Sequence, residues 1–351
     1  MSSSCISDVT ISGVSCAVPT HIDKLAQFDG DKDKIERFVK STGISERRLA
    51  HSLQTCSDLC KVAAEKLIAH KKYERNSFDG LIFVSQSADY HQPATAHVLQ
   101  HRLGFSVDCA CLDISLGCSG FNYGVSVAAS MIHAGIFKRV LLCCGETHLS
   151  AVQEKWDYSS GSLFGHAGTA IIIEKGNGRI RTLLKSFGDD YSAIIMPGVA
   201  ERIKVNVQNL DVKQIGPHMD GDAVFEFSIT RVPEAFKQFF ELYGGCIDDY
   251  DHCVFHQANL FILKHICKKI KLNPEKMPIS IDRYGNTSSA SIPLTISDLV
   301  KKGVEKERLN FITCGFGIGL SLGVTDFEIE SKDVLPIVET DDYFKEAYLG
   351  E

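Results

Sequence analysis

The sequence predicts an α/β protein made of two alternating halves. Short apolar runs rich in Val, Ile and Cys alternate with amphipathic stretches along most of the chain. That alternation begins again after Gly176 and Gly178. At 351 residues the chain also exceeds what one hydrophobic core usually organises. The halves are expected at 1–175 and 176–351, with no internal sequence repeat to mark a duplication.

Val9–Ala17 reads as the first strand. Asp31–Lys40 is a charged helix, and Ser57–His70 a second one with Ser57 or Asp58 as its cap. Gly80–Gln86 is a short apolar strand, Thr95–Leu103 a helix, and Val107–Ile114 a strand running into a turn at Gly117. In the helix from Gly120 to Ala134, the small residues Gly120, Gly124 and Ala128 fall on one face, which lets another backbone approach closely. Arg139–Cys144 and Ala167–Glu174 are strands. In the second half Phe225–Tyr243 is a long helix, expected to kink or break at Pro233. His252–Phe255 is a strand, Leu260–Ile270 and Ser289–Lys302 are helices, and Phe311–Thr313 and Leu320–Ile329 complete the sheet. The acidic, aromatic tail Ser331–Glu351 fits either a surface-packed or a partly disordered segment.

A net charge of -7 is the opposite of the basic excess that nucleic acid selects, so no nucleic-acid partner is expected. No apolar run reaches the length of a membrane span, and Met1–Asp8 lacks a basic segment followed by an apolar one. A cytoplasmic protein with no membrane role is the expectation. The 13 cysteines support it, because Cys109, Cys111, Cys143, Cys144, Cys253 and Cys314 sit in strand-like runs as small buried hydrophobes of a reducing compartment. Cys-x-x-Cys pairs are missing, so no metal site is expected.

Cys118 stands out, in Asp113-Ile114-Ser115-Leu116-Gly117-Cys118-Ser119-Gly120. A strand–turn–helix setting presents unpaired N–H groups and a helix dipole, which are expected to lower a thiol pKa. Position alone leaves a buried structural thiol as an equal alternative. Gly117 and Gly120 favour function because they admit a substrate. His256 follows the run Cys253-Val254-Phe255 at a strand end, where α/β proteins gather reacting groups. Asn286, in Gly285-Asn286-Thr287, would by itself be an ordinary turn residue. Gly315-Phe316-Gly317-Ile318-Gly319 lacks dinucleotide-loop spacing and reads instead as a turn whose N–H groups stabilise an oxyanion.

Taken with Ser41-Thr42-Gly43-Ile44, Gly145-Glu146-Thr147, Leu163-Phe164-Gly165, Met219-Asp220-Gly221 and Gly285–Pro293, these motifs make the chain resemble β-ketoacyl-acyl carrier protein synthase III of the thiolase superfamily over nearly its whole length. The resemblance implies a five-layered αβαβα fold of two similar halves, and a homodimer. It implies that Cys118 accepts an acyl group, and that His256 and Asn286 promote decarboxylation of malonyl-acyl carrier protein and stabilise the enolate. The N–H groups of Cys118 and Ile318 would form the oxyanion hole. Gln92, Phe316, Asn259, Arg37 and Phe38 would contact substrate. The expected partners are acyl-CoA and acyl carrier protein, used as thioester substrates with no cofactor.

Several positions depart from the family pattern. Arg37 or Phe38 replaces the tryptophan that stacks on coenzyme A, Tyr158 an arginine, Phe261 an arginine that meets the carrier protein, and Gln92 an apolar gate. Lys264, Lys268, Lys269 and Lys271 are equally a carrier-protein site or a solvated face. A specialised condensing enzyme therefore fits as well as one that initiates fatty-acid synthesis. An acyltransferase passing the group to an alcohol or amine, a head-to-head condensation, and a silent heterodimer partner are the alternatives.

Overall fold

In the computed structural model of the protein, residues 2–25, 31–147, 161–197, 217–301, 303 and 305–346 are described. In chain order the strands are β1 (Ser2–Val18), β2 (Ile22–Lys24), β3 (Glu46–Arg48), β4 (Gly80–Val84), β5 (Ala110–Ile114), β6 (Arg139–Glu146) and β7 (Ala167–Ser186). They continue with β8 (Ile194–Ile195), β9 (His218–Met219), β10 (His252–Phe255), β11 (Arg308–Gly317), β12 (Ser321–Glu330) and β13 (Val338–Glu339). The main helices are α1 (Lys32–Thr42), α2 (Cys56–Lys71), α3 (Thr95–Leu103), α4 (Gly120–His133), α5 (Gly221–Tyr243), α6 (Leu260–Lys269) and α7 (Ser291–Lys301).

Strand periodicity builds the layers. Successive side chains of a strand point to opposite faces, so a run that is apolar throughout must be covered on both sides. In β4, Leu81 and Phe83 face α2 and α3, whereas Ile82 and Val84 face α4. In β10, Val254 faces the same central helix layer from the other side, while Cys253 and Phe255 meet α5 and α6. The result is helix, sheet, helix, sheet, helix, with α4 and α7 in the middle, as the five-layered expectation required. The strand path is β10-β11-β12-β7-β6-β4-β5, with β1 paired along β7. β5 forms one edge.

The expected division at 175/176 falls inside β7. Residues 167–174 of that strand pair with β6 and residues 181–186 with β12, while β1 follows it through both halves. The two halves therefore share two long strands. Other expectations change in detail. Helix α2 is capped at Thr55, not at Ser57 or Asp58; the Thr55 N–H donates to Asp58 Oδ2 at 2.8 Å. Helix α5 begins at Gly221 and runs unbroken through Pro233. Of the tail, Ser331–Glu346 packs on the surface: β13 pairs in parallel with β1, Glu339 bonds Arg48, and Phe344 lies under the Arg102 guanidinium. Among the described residues no helix is long and apolar enough to cross a membrane.

Candidate active site

The carboxyl ends of β4, β5, β6 and β10 converge on the turn that carries Cys118. Strands β4, β5 and β6 are parallel to one another, so their last residues end at one level of the sheet. The chain leaves β5 at Ile114 and reaches Cys118 just before α4. Asn122, on the first turn of α4, ties that helix to β11: its Oδ1 accepts from the Gly315 N–H at 2.8 Å and its Nδ2 donates to Thr313 Oγ1 at 2.9 Å. β11 then delivers the turn Gly317–Gly319 against the thiol. Gly317 has φ +150, and a Cβ there would lie 2.8 Å from Cys118 Sγ, so no larger residue leaves room for the sulfur.

The groups around Cys118 that favour its thiolate are the Ile318 N–H, the Ser288 hydroxyl and the N–H of Cys118 itself. The two backbone groups are the ones expected as the oxyanion hole. The thiol pKa is nevertheless raised, because burial outweighs all three. This reverses the expected lowering. The donors are neutral, and neutral hydrogen bonds do not offset the cost of a thiolate sheltered from water.

His256 is buried, continues the β10–β11 pairing by donating its N–H to the Cys314 carbonyl at 2.8 Å, and stands edge-on to Phe316. Burial pushes its pKa down to about 3, with the Ser288 carbonyl opposing, so the ring is neutral at ordinary pH. Nδ1 lies 2.8 Å from Ser291 Oγ, whose own proton goes to the Ser288 carbonyl at 2.8 Å. That donor count assigns the imidazole proton to Nδ1.

Asn286 is strapped to the segment 163–165. Its N–H donates to the Leu163 carbonyl at 2.8 Å and its carbonyl accepts from the Gly165 N–H at 3.1 Å. Arg47 of β3 braces that segment through the Gly161 and Phe164 carbonyls and pairs with Asp23 at 2.8 Å. The side-chain Oδ1 accepts from the Ser288 N–H at 2.9 Å, which leaves Nδ2 as the donor end of the amide.

The remaining expected residues are spread around this centre. Phe316 is buried and supports the His256 ring. Asn259 caps α6, its Oδ1 accepting from the Ile262 N–H at 2.8 Å. Phe38 packs in a small core with Leu25, Ile44 and Ile281, whereas Arg37 is exposed. Gln92 is exposed on the loop after β4. Phe261 is 51 % exposed and stacks on Phe225 at 5.3 Å, with His265 beside both rings. Lys264, Lys268, Lys269 and Lys271 are all exposed. Tyr158 lies outside the described residues.

Three residues with no assigned role belong to the site: Ser288, Ser291 and Glu146. Glu146 ends β6, fully buried, and accepts from Ser87 Oγ at 2.8 Å, the Gln86 N–H at 3.0 Å and Ser85 Oγ at 3.3 Å. Burial raises its pKa from 4.5 to about 7, opposed by those bonds and aided by the nearness of Cys118. A carboxyl whose folded pKa is raised adds stability below pH 4.5 that is lost as pH rises to about 7. Glu146→Gln is therefore expected to flatten the pH dependence of the denaturation midpoint across that window, an effect on the order of 3 kcal/mol. Chemical denaturation of both proteins along a pH series checks it.

The model of 3-oxoacyl-[acyl-carrier-protein (ACP)] synthase III matches residues 112–190, and the model of its C-terminal part matches residues 243–329. The β-ketoacyl-[acyl-carrier-protein] synthase III of Fusobacterium nucleatum subsp. nucleatum is 31% identical over 321 residues, covering 90% of this chain and 97% of that protein. The chain belongs to the β-ketoacyl-acyl carrier protein synthase III family. The synthase III of Caldanaerobacter subterraneus subsp. tengcongensis is similar at 32% identity over 317 residues, 89% of this chain and 95% of that one. The crystal structure of a 3-oxoacyl-(acyl-carrier protein) synthase from Burkholderia xenovorans LB400 superposes with a TM-score of 0.87 at 33% identity, covering 96% and 99% of the two chains. The protein is thus a thiolase-fold enzyme of the acyltransferase class.

Proposed function

We propose that the synthase carries an acyl group on Cys118 and extends it by decarboxylative condensation with malonyl-acyl carrier protein. The observation that carries this reading is the turn Gly317–Gly319 set against the Cys118 thiol, with Asn286 bonded to Ser288 and His256 bonded to Ser291 of the same segment. First, Cys118 sulfur attacks the acyl thioester carbonyl. The carbonyl oxygen takes the negative charge at the two N–H groups, and the leaving thiol departs with the Cys118 proton. Next, the malonyl thioester loses carbon dioxide, and the bond electrons form an enolate whose oxygen takes a hydrogen bond from Asn286 Nδ2. His256 adds a second donor as the neutral tautomer protonated on Nε2, reached when Nδ1 gives its proton to water, Nε2 takes one from water, and the Ser291 hydroxyl turns to donate to Nδ1. The enolate carbon then attacks the acyl-Cys118 carbonyl, a C–C bond forms, and the Cys118 thiolate leaves.

On this reading the first half of the chain supplies the nucleophile, and the second half supplies His256 and Asn286. A cytoplasmic setting suits the reduced thiols, and acyl-CoA and acyl carrier protein are the thioester partners, with no cofactor. Phe261, exposed and stacked on Phe225, stands where the family pattern has an arginine, so the basic contribution to carrier-protein docking falls to Lys264, Lys268, Lys269 and Lys271. β5, which among the described residues pairs only with β4, is the surface for a homodimer.

Intact-protein mass after incubation with acyl-CoA and acyl-carrier-protein panels tests the mechanism. A gain of one acyl group, absent in Cys118→Ala, is expected, and malonyl-acyl carrier protein should clear it with release of carbon dioxide. Clearance by an alcohol or amine alone would establish the acyltransferase alternative.

A further inference from the structure

The loop after β4 passes the Cys118 turn, and a buried carboxyl sets its course. Ser85 extends β4 by donating its N–H to the Ile114 carbonyl at 3.2 Å. Glu146, fully buried at the end of β6, then takes the Gln86 N–H at 3.0 Å and the Ser87 hydroxyl at 2.8 Å. Ser87 Oγ in turn accepts the Thr147 N–H at 3.0 Å, which closes the loop back onto the strand end. With the backbone of Gln86 held from both sides, its side chain runs to Gly117. A Cβ added to Gly117 would lie 2.2 Å from Gln86 Oε1, 2.9 Å from Ile318 Cγ2 and 3.0 Å from Ser288 Oγ. The side chain that Gly117 lacks therefore leaves the space that the Gln86 carboxamide fills, immediately before the nucleophile in the chain and beside the turn set against it. Among the described residues the carboxamide has no hydrogen-bond partner, and Gln86 is exposed.

We propose that Gln86 is a specificity-determining residue of the acyl site, whose carboxamide hydrogen-bonds an acyl group carrying a hydroxyl or keto oxygen close to its thioester. This deepens the reading of Cys118 as the acyl carrier and rests on it. The carboxamide offers both a donor and an acceptor, so it answers either oxygen. An unsubstituted acyl chain would instead strip water from the amide and replace none of its bonds, a loss of about 10-fold in binding. The transfer itself is unaltered: the Cys118 sulfur bonds the acyl carbon, the thioester C–S bond breaks, and the leaving thiol takes the proton.

Loading rates of butyryl-CoA and β-hydroxybutyryl-CoA, which differ by a single hydroxyl, test this by intact-protein mass in wild-type, Gln86→Met and Gln86→Ala protein. Both substitutions keep the backbone N–H that Glu146 takes, and a ratio taken within each protein cancels any change in overall rate. The wild-type should load the hydroxyacyl group about 10-fold faster, and both variants should bring the ratio to about one. Equal or reversed rates in the wild-type would overturn the proposal, and so would a preference that survives in either variant. The two dissociation constants for Cys118→Ala protein, with and without Gln86→Met, need no transfer. An inert Cys118 with the binding preference intact would sink the carrier reading alone. Loading without a preference would sink the role of Gln86 alone, and an inert Cys118 with no preference in binding would sink both.

Discussion

In Asn286→Ala protein, Cys118 is expected still to take up its acyl group, while carbon dioxide release from malonyl-acyl carrier protein should fall about 10²–10³-fold, the usual cost of one lost oxyanion donor. The split follows from where Asn286 is held. Its backbone belongs to the strap across Leu163 and Gly165, and its Oδ1 is committed to the Ser288 N–H, so Nδ2 is the end that the proposed enolate oxygen would meet. The Cys118 and Ile318 N–H groups that the proposal assigns to the loading step belong to other segments than that amide. Single-turnover assays of loading and of decarboxylation measure the two halves separately. An equal loss in both would place Asn286 in substrate positioning and remove it from the enolate step.

The second large effect is expected at Gly165. A Cβ on this residue would stand 1.9 Å from the Tyr284 carbonyl oxygen, a backbone atom that no rotamer change can move aside. Gly165 also donates its N–H to the Asn286 carbonyl, so the two chains cannot separate without breaking the strap. Gly165→Ala should therefore destabilise by roughly 3 kcal/mol or more, at the upper end of overpacking costs. Thermal unfolding would register this as a drop of several degrees. The condensation should suffer beyond the stability loss, because any shift that relieves the clash carries Asn286 with it. A variant with unchanged melting temperature and activity would show that the strap yields more easily than its packing indicates.

Much of the fold was legible because strand and helix periods are local. The runs at Leu81–Val84 and Cys253–Phe255 are apolar at every position, which already requires cover on both faces. Thr95–Leu103 and His252–Phe255 begin and end where the sequence places them. The misreadings came from bonds the periods do not contain. The cap of α2 moved to Thr55 because a carboxylate three residues on completes it. Pro233 was accommodated within α5, whose buried Val232, Ala235, Phe236 and Phe239 hold it against the sheet. The acidic tail found its place through β1, Arg48 and Arg102, residues more than 200 positions away.

The sequence by itself determined the chemical parts: a cysteine in a glycine turn, a histidine at a strand end, an asparagine between glycine and threonine, and a two-faced sheet to carry them. Only the tertiary structure decided how those parts are set. Burial raises the thiol and holds the imidazole neutral, because ionisation depends on the dielectric surroundings and not on neighbours in sequence. Glu146 becomes a buried acid only once Ser85, Gln86 and Ser87 close around it. Ser288, one serine among several in its stretch, bonds Asn286 through its N–H and Ser291 through its carbonyl from a positive φ. That conformation belongs to a residue buried by the folded chain, and no local pattern records it.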